Sequence, residues 1–316
     1  MRLFKKIVFI VKILFKFGIK LFILNIIKYI CKKNLNLYNY FCNKKHNLIL
    51  SILGKKYNNL IIKYNEKYKE SYLCQPIIPK IIWLLWWDGI EKMPPIVKAC
   101  YNSVLKYSND FEVKVISKYN VSEYVSIPEH ISKKLNSKLI TIAHLSDILR
   151  VYLIKNYGGF WLDATVLVTN NIIFDYSYFF TIRRDYGGDN VSKRRWTGNC
   201  IAGSVNNPLF EFLNDFFYEY WKNNNLLIDY FLIDYAIALA YNNIPVINKM
   251  INNICNNNIE YLTFNSNLLN VFSIDFFNNT IKNTLFHKLY WKINKNKLLN
   301  DNQITLYDYI LQQYLI

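Results

Sequence analysis

Ala143-His-Leu-Ser-Asp147-Ile-Leu-Arg150-Val-Tyr-Leu-Ile-Lys-Asn-Tyr157-Gly158-Gly159-Phe-Trp161-Leu-Asp163-Ala-Thr165 is the stretch that decides the fold. Its first part has helical periodicity. His144, Asp147 and Arg150 recur three residues apart in one polar stripe, with Ile148, Val151 and Ile154 in an apolar stripe beside it. Gly158 and Gly159 then stop the helix and permit a tight turn into a strand. That strand is apolar as far as Asp163, after which small residues follow. A carboxylate at this point of a buried strand is costly unless it is paired or holds a metal. Because one tight turn joins the polar stripe to the strand end, both are expected to converge on a single pocket.

Upstream, Pro76 and Pro79 punctuate the chain before Lys80-Ile-Ile-Trp-Leu-Leu-Trp86, an apolar and aromatic run of strand length closed by Asp88-Gly89. Pro94-Pro95 opens an expected helix over 95–107. A strand is expected at 111–116, a helix over 133–156 and a strand over 159–168. Strands alternating with helices predict an α/β fold with a mainly parallel sheet, and no internal repeat is visible. In such a sheet the binding site lies beyond the carboxyl ends of the strands.

The net charge of +17 is unevenly placed. Residues 1–70 hold 16 Lys/Arg against 2 Asp/Glu, which leaves 23 against 20 for the remainder. The body is nearly balanced and carries no nucleic-acid-binding motif, so nucleic acid is not expected as a partner. Residues 1–33 read MRLFKKIVFIVKILFKFGIKLFILNIIKYICKK. Lysines interrupt every apolar run, so neither a secretory signal nor a spanning helix of roughly 20 apolar residues fits. On a helix, Lys5, Lys12, Lys16 and Lys20 share a narrow stripe with Arg2 beside it. Phe4, Ile7, Phe9, Ile10, Ile13, Leu14, Phe17, Leu21 and Phe22 cover the rest. This pattern predicts a helix lying on an anionic membrane surface, the other reading being a surface helix packed on the body. The expected organisation is a membrane-surface helix over 1–33, a helical connector over 34–77 and one domain over 78–316. The six cysteines show no metal-ligand spacing and are expected to be reduced thiols of a cytoplasmic protein.

Ser146-Asp147-x-x-Arg150 followed by Gly158-Gly159-x-Trp161-x-Asp163 resembles the retaining glycosyltransferases of the GT-A fold, with glycosyltransferase family 32 and its bacterial capsular-polysaccharide-synthesis branch as the nearest group. Ile78-Pro-Lys-Ile-Ile-Trp83 is similar to that family's first strand, and the likeness extends over about 78–205. The resemblance implies a retaining hexosyltransferase that moves a sugar from a UDP- or GDP-sugar to a glycan or lipid-linked acceptor, peripheral on the inner face of the plasma membrane, in capsular or surface polysaccharide synthesis. The other reading is a catalytically silent scaffold of a polysaccharide assembly complex.

Carried residue by residue, the resemblance implies that Trp83 or Trp86 stacks on the base, though both residues also suit core packing. It implies that Asp147 and Arg150 bind donor-sugar hydroxyls, although a plain ion pair has the same spacing. Trp161 belongs to the donor site. Asp163 stands for the first acid of the D-x-D motif, holding ribose or a Mn²⁺ or Mg²⁺ ion on the diphosphate. Thr165 occupies the place of the second acid, which is a departure, since a hydroxyl is a weaker ligand for a hard cation. Phe286-His287-Lys288 resembles an element in which the His ligates the metal and the Lys contacts the diphosphate. Asp229 and Asp234 lie five apart on an expected helix, so one of them is expected to face the site, and Asp234 resembles a position near the acceptor. The basic, glycine-containing loop 181–196 reads as a lid over the diphosphate, as a contact for an anionic acceptor lipid or as a solvated loop.

Overall fold

The computed structural model describes residues 11–69, 76–173, 178–293 and 303–315. A helical stretch over 11–17 leads into α1 (Ile19–Ile30), from which Gly18 separates it with φ of 92°. Next come α2 (Leu35–Lys56), capped by the Asn34 side chain, and α3 (Asn58–Lys67). The α/β part begins with β1 (Ile81–Leu85), α4 (Pro95–Tyr107) and β2 (Glu112–Ile116). Helices α5 (Glu129–Asn136) and α6 (Ile142–Tyr157) lead to β3 (Gly159–Leu162), β4 (Val166–Val168), β5 (Phe179–Thr181) and β6 (Cys200–Gly203). The chain continues through α7 (Pro208–Asn223), α8 (Leu232–Asn243), α9 (Pro245–Asn252) and α10 (Ile274–Ile281) to β7 (Phe286–Lys288) and α11 (Leu306–Tyr314).

The central sheet has the order β2-β1-β3-β6-β5. Strand β1 is parallel to β2 and β3, while β6 is antiparallel to both β3 and β5. Four strands therefore point one way and β6 the other, giving a mixed but mainly parallel sheet flanked by helices. Strands β4 and β7 form a separate antiparallel pair. The pleat sends alternate side chains to opposite faces. Trp83, Trp161 and Ile201 enter the core shared with α2, α3, α6, α7 and α8, while Ile82, Phe160, Leu162 and Ala202 meet β4, β5 and Phe286 on the other face.

The glycine pair earns its place in the turn. Gly158 and Gly159 have φ of 66° and 100°, and a Cβ on them would lie 2.5 Å from Pro79 Cδ and 2.6 Å from the Ile81 carbonyl oxygen. Only glycine lets α6 drop directly beside β1.

Two expected elements divide. The helix expected over 133–156 is two helices, broken at Lys138 with φ of 60° and restarted at Thr141, whose side chain caps α6. The strand expected over 159–168 becomes β3 and β4 in different sheets, because Asp163-Ala-Thr165 turns the chain and Val166 N–H donates to the Asp163 carbonyl at 2.9 Å. Sequence periodicity carries neither break, since each depends on backbone hydrogen bonds.

The stretch expected to be a connector is packed structure. Ile49, Leu53, Tyr57 and Tyr64 are buried in the core that holds α7 and α8. Lys63 and Lys67 pair with Asp215 and Glu211 of α7 at 2.7 and 2.5 Å. The N-terminal helix also differs from its expected form. Ile13 and Leu21, expected to face lipid, are fully buried against the body. Val11, Phe15, Ile19 and Ile23, spaced four apart, are exposed instead, and Phe15 is 85% exposed. A helix apolar on most of its circumference can bury one face and still present another. Arg2, Phe4, Lys5, Ile7, Phe9 and Ile10 lie outside the described residues. Among the described residues no helix is long and apolar enough to cross a membrane.

Candidate functional site

Asp163 stands where β3 leaves the sheet, its N–H bonded to the Asn199 carbonyl at 2.9 Å. Trp161, two residues earlier on the same face of the strand, donates its Nε1–H to Asp163 Oδ1 at 2.9 Å. Arg150, two turns into the polar stripe of α6, donates from Nη2 to the same oxygen at 3.1 Å. Lys288 on β7 donates from Nζ to Oδ2 at 2.7 Å. Arg150 also places Nη1 3.1 Å from Asp147 Oδ1, and the second oxygen of Asp147 lies 3.7 Å from His144 Nδ1. The guanidinium lies over the Trp161 ring, 5.0 Å from its centroid. Residues from α6, β3 and β7 thus meet at the carboxyl end of β3, where an α/β sheet presents its ligand site.

The electrostatics follow from burial and pairing. Burial alone raises the Asp163 carboxyl pKa, but the charges of Lys288 and Arg150, with hydrogen bonds from Lys288 and Trp161, outweigh it and hold the group below its ordinary value. Asp163 is therefore a carboxylate. Arg150 is 5% exposed, and its Nε–H is buried with no partner among the described residues. An arginine between two carboxylates thus keeps one donor unspent among the described residues. Gly198 makes room for it, since a Cβ there would sit 3.2 Å from Arg150 Nη1.

Asp234, on the first turn of α8, has the opposite environment. Burial raises its pKa, the charge of Asp147 adds to the rise, and the result is pushed up to about 6 despite hydrogen bonds from Trp196 and Asn190 and the charge of Arg150. Its bond from Trp196 Nε1 is 3.0 Å long. Asp229 lies before α8 and turns away to Lys45 at 2.5 Å. Of the two acids, Asp234 is the one electrostatically linked to Asp147 and Arg150.

Several expected site residues lie elsewhere. Trp83 is 1% exposed, donates to the Gly158 carbonyl at 2.8 Å and packs edge-on against Tyr124, so it is core and cannot stack on a base. Trp86, at the carboxyl end of β1, is half-buried, bonded to the Lys92 carbonyl at 3.1 Å and edge-on to Trp291. It remains available as a platform. His287 alternates with Lys288 along β7 and so faces the other way. Its ring stacks on Phe264 at 4.2 Å, its Nε2 is 3.1 Å from the Thr284 carbonyl, and burial lowers its pKa to about 4. It is not brought to Asp163.

The residues present do not fit a resident divalent ion. Both oxygens of Asp163 already accept from cationic side chains, Thr165 is buried with its carbonyl bonded to Leu289 N–H at 2.8 Å, and His287 is turned away. Among the described residues no group of three His, Cys, Asp or Glu could hold a metal.

Three contributors escape a reading of the sequence alone. Trp196 anchors Asp234, Asn199 holds the Asp163 backbone, and Tyr230 stacks edge-on over His144 at 5.4 Å while feeling the charges of Asp147 and Asp163. Trp196-Thr-Gly-Asn199, an aromatic and a glycine directly before a small-residue strand, is the signal that could have flagged the first two. The loop 181–196 is tied to α2, where Tyr38 donates to Asp189 at 2.9 Å and Lys193 to Asn43 at 2.6 Å.

The sequence pattern of the capsular polysaccharide synthesis protein family matches residues 28–310. The chain is 25% identical over 142 residues to an uncharacterized glycosyltransferase, L373, of Acanthamoeba polyphaga mimivirus, covering 43% of this chain and 54% of that protein. It is 31% identical over 94 residues to the O-glycosyltransferase braB of Annulohypoxylon truncatum, covering 27% of this chain and 22% of the other. The matched regions thus span about half or less of the length of these relatives. The PaToxG glycosyltransferase structure aligns with a TM-score of 0.38 and 16% identity over 66% of this chain and 83% of its own.

Proposed function

The chain belongs to the capsular polysaccharide synthesis protein family, and on that premise we propose that it is a glycosyltransferase of GT-A type that uses a UDP- or GDP-sugar as donor. The observation that carries the reading is Asp163 at the end of β3, held as a carboxylate by Arg150, Lys288 and Trp161, with Arg150 tied back to Asp147. In this reading Asp147 and the unspent Arg150 Nε–H take donor-sugar oxygens, Asp163 takes the ribose hydroxyls, and Trp86 backs the base. Lys288 is positioned to pass from Asp163 to the diphosphate and to steady the charge that develops there. Asp234, with a pKa near the working range, lies on the acceptor side.

The transfer is proposed to retain configuration. The acceptor hydroxyl oxygen bonds to the anomeric carbon as the bond from that carbon to the diphosphate breaks. The electron pair leaves on the diphosphate, and the hydroxyl proton ends on that departing oxygen. The acceptor is a glycan or lipid-linked glycan at an anionic membrane surface, the cytoplasmic face of the plasma membrane. Exposed Phe15 beside exposed Lys12, Lys16 and Lys20 supports this location.

The test is release of nucleoside diphosphate from a panel of UDP- and GDP-sugars, with Mn²⁺, Mg²⁺ or chelator, by the full chain and by Arg150→Lys. One donor cleaved, with the rate lost in the variant, is the expected result. Release surviving chelator leaves Arg150 and Lys288 as the cations of the reaction. No release from any donor by folded protein favours the scaffold reading, which the closed pairing of Asp163 with two cations also suits.

A further inference from the structure

A second cleft, of about 170 Å³, lies at the seam between the N-terminal helices and the body. From α2 it takes Lys45 and His46, from the segment leading into α8 Asp229 and Phe231, from α8 itself Tyr235, and from the loop 181–196 Asp189 and Asn190. Its volume is below the roughly 300–1,000 Å³ of ordinary small-molecule pockets, which leaves room for about one sugar ring.

The lining has the character of a site for a neutral, hydroxyl-rich ligand. Buried Lys45 and half-buried Asp229 neutralise each other at 2.5 Å, while on the rim Lys28 lies over the Tyr38 ring and Asp189 accepts from the Tyr38 hydroxyl at 2.9 Å. His46 adds no charge, since burial lowers its pKa. Its tautomer is fixed by its partners. Nε2 lies 2.8 Å from the Asp189 carbonyl, which can only accept, so Nε2 carries the hydrogen and Nδ1 accepts from the Tyr235 hydroxyl at 2.7 Å. The Tyr235 oxygen keeps a lone pair for a ligand hydroxyl. Two lysines and two carboxylates line the cleft, so it has no net charge to hold an anion such as phosphate. Donors (Lys45 Nζ, the Asn190 amide) alternate with acceptors (Asp229, Asp189, Tyr235 oxygen), which suits hydroxyls that both donate and accept. Phe231, 49% exposed, offers an apolar surface for the carbon-bearing face of a ring.

The cleft shares a wall with the site at Asp163. Asn190, on the cleft wall, is near enough to Asp234 to lower its pKa, and Tyr235 follows Asp234 on α8. Asp234 in turn feels Asp147 and Arg150.

We propose that this seam cleft binds an uncharged sugar residue of the acceptor and delivers it past Asp234 to the donor site. The inference rests on the glycosyltransferase reading above, and it assigns the N-terminal helices a part in acceptor recognition through Lys45 and His46.

The test uses saturation-transfer NMR on the full-length protein, with methyl glycosides of glucose, galactose, mannose and N-acetylglucosamine as probes. Wild type, Phe231→Ala, Asp189→Asn and Asp163→Asn are compared, each first shown to be folded by circular dichroism. At least one glycoside is expected to bind. Phe231→Ala is expected to weaken it about tenfold, equivalent to about 1.4 kcal/mol, and Asp189→Asn to weaken it as well. Absence of binding by every probe overturns the proposal. So does binding that persists unchanged in both cleft variants, or binding lost in Asp163→Asn alone, which places the sugar at the donor site. Donor cleavage by the wild type, measured separately, reports on the glycosyltransferase reading and stands or falls independently.

Discussion

Half-buried Asp163 and buried Asp234 are carboxyls that feel the same arginine, and their environments push them in opposite directions. Asp163 meets Arg150 and Lys288 directly, so its charge is held in place although burial opposes it. Asp234 has an indole and an amide for partners and the charge of Asp147 nearby, so burial prevails and its pKa rises to about 6. Burial sets the cost of a charge, and the identity of the partners decides whether that cost is met or the proton stays. One region thus offers a fixed anion among cations, suited to holding a donor. The other offers a carboxyl that exchanges its proton near neutrality, suited to the side where a hydroxyl arrives.

The largest effect that could break this comparison comes from Arg150. Arg150→Met leaves the half-buried Asp147 and Asp163 with less compensation, and thermal or denaturant unfolding is expected to show a loss of about 2–3 kcal/mol. A loss under 1 kcal/mol contradicts the pairing. Next, Lys288→Met removes one of the two cations on Asp163. Donor cleavage is expected to fall about 10²-fold, the scale of one lost charge-stabilising donor, with Lys288→Arg recovering part of it. Unchanged cleavage removes Lys288 from the donor site.

The comparison is sharpened by pH. Asp234 in the folded chain holds a proton that the unfolded chain releases near its ordinary value, so between those two pKa values the native state binds more protons. Stability therefore falls as pH rises from about 4 to about 6, by up to about 3 kcal/mol from this group. Asp163 acts with the reverse sign, its contribution present above the unfolded pKa and lost in acid. Asp234→Asn keeps an acceptor for Trp196, and its unfolding curves measured from pH 4 to 7 are expected to lack the falling component. An identical pH profile to wild type places the raised pKa elsewhere. The smallest effect is expected from His287→Leu, which replaces a neutral ring stacked on Phe264. Donor cleavage should stay within about twofold, the change being confined to local packing, and a loss comparable to that of Lys288→Met returns His287 to the site.

The contrast also marks how far the sequence was legible. The stripe His144-Asp147-Arg150, the glycine turn and Asp163 are close in sequence, and local geometry alone brings them together, so they could be read directly. Lys288 arrives from β7 through a pairing with β4 that no periodicity announces, and only the family likeness pointed to it. The same likeness carried His287, and the alternation of the strand turned it away. Trp83 read equally as platform or core because an aromatic on a strand fits both, and only the side of the sheet decides. The breaks at Lys138 and at Asp163-Ala-Thr165 were hidden because a left-handed residue and a turn hydrogen bond leave no hydrophobic signature. The N-terminal helices misled differently. A segment apolar on most sides is compatible with a lipid surface and with a protein surface, and here Ile13 and Leu21 take the second while Phe15 and Ile19 remain outside.

The most direct measurement is calorimetric titration of UDP and of GDP into the wild-type protein and into Asp163→Asn. The wild type is expected to bind one of the two nucleotides, and Asp163→Asn, folded but without the anion that orients Arg150 and Lys288, to bind it at least about tenfold more weakly. Equal binding by both proteins, or no binding of either nucleotide by folded wild type, contradicts the assignment of the Asp163 cluster as the donor site.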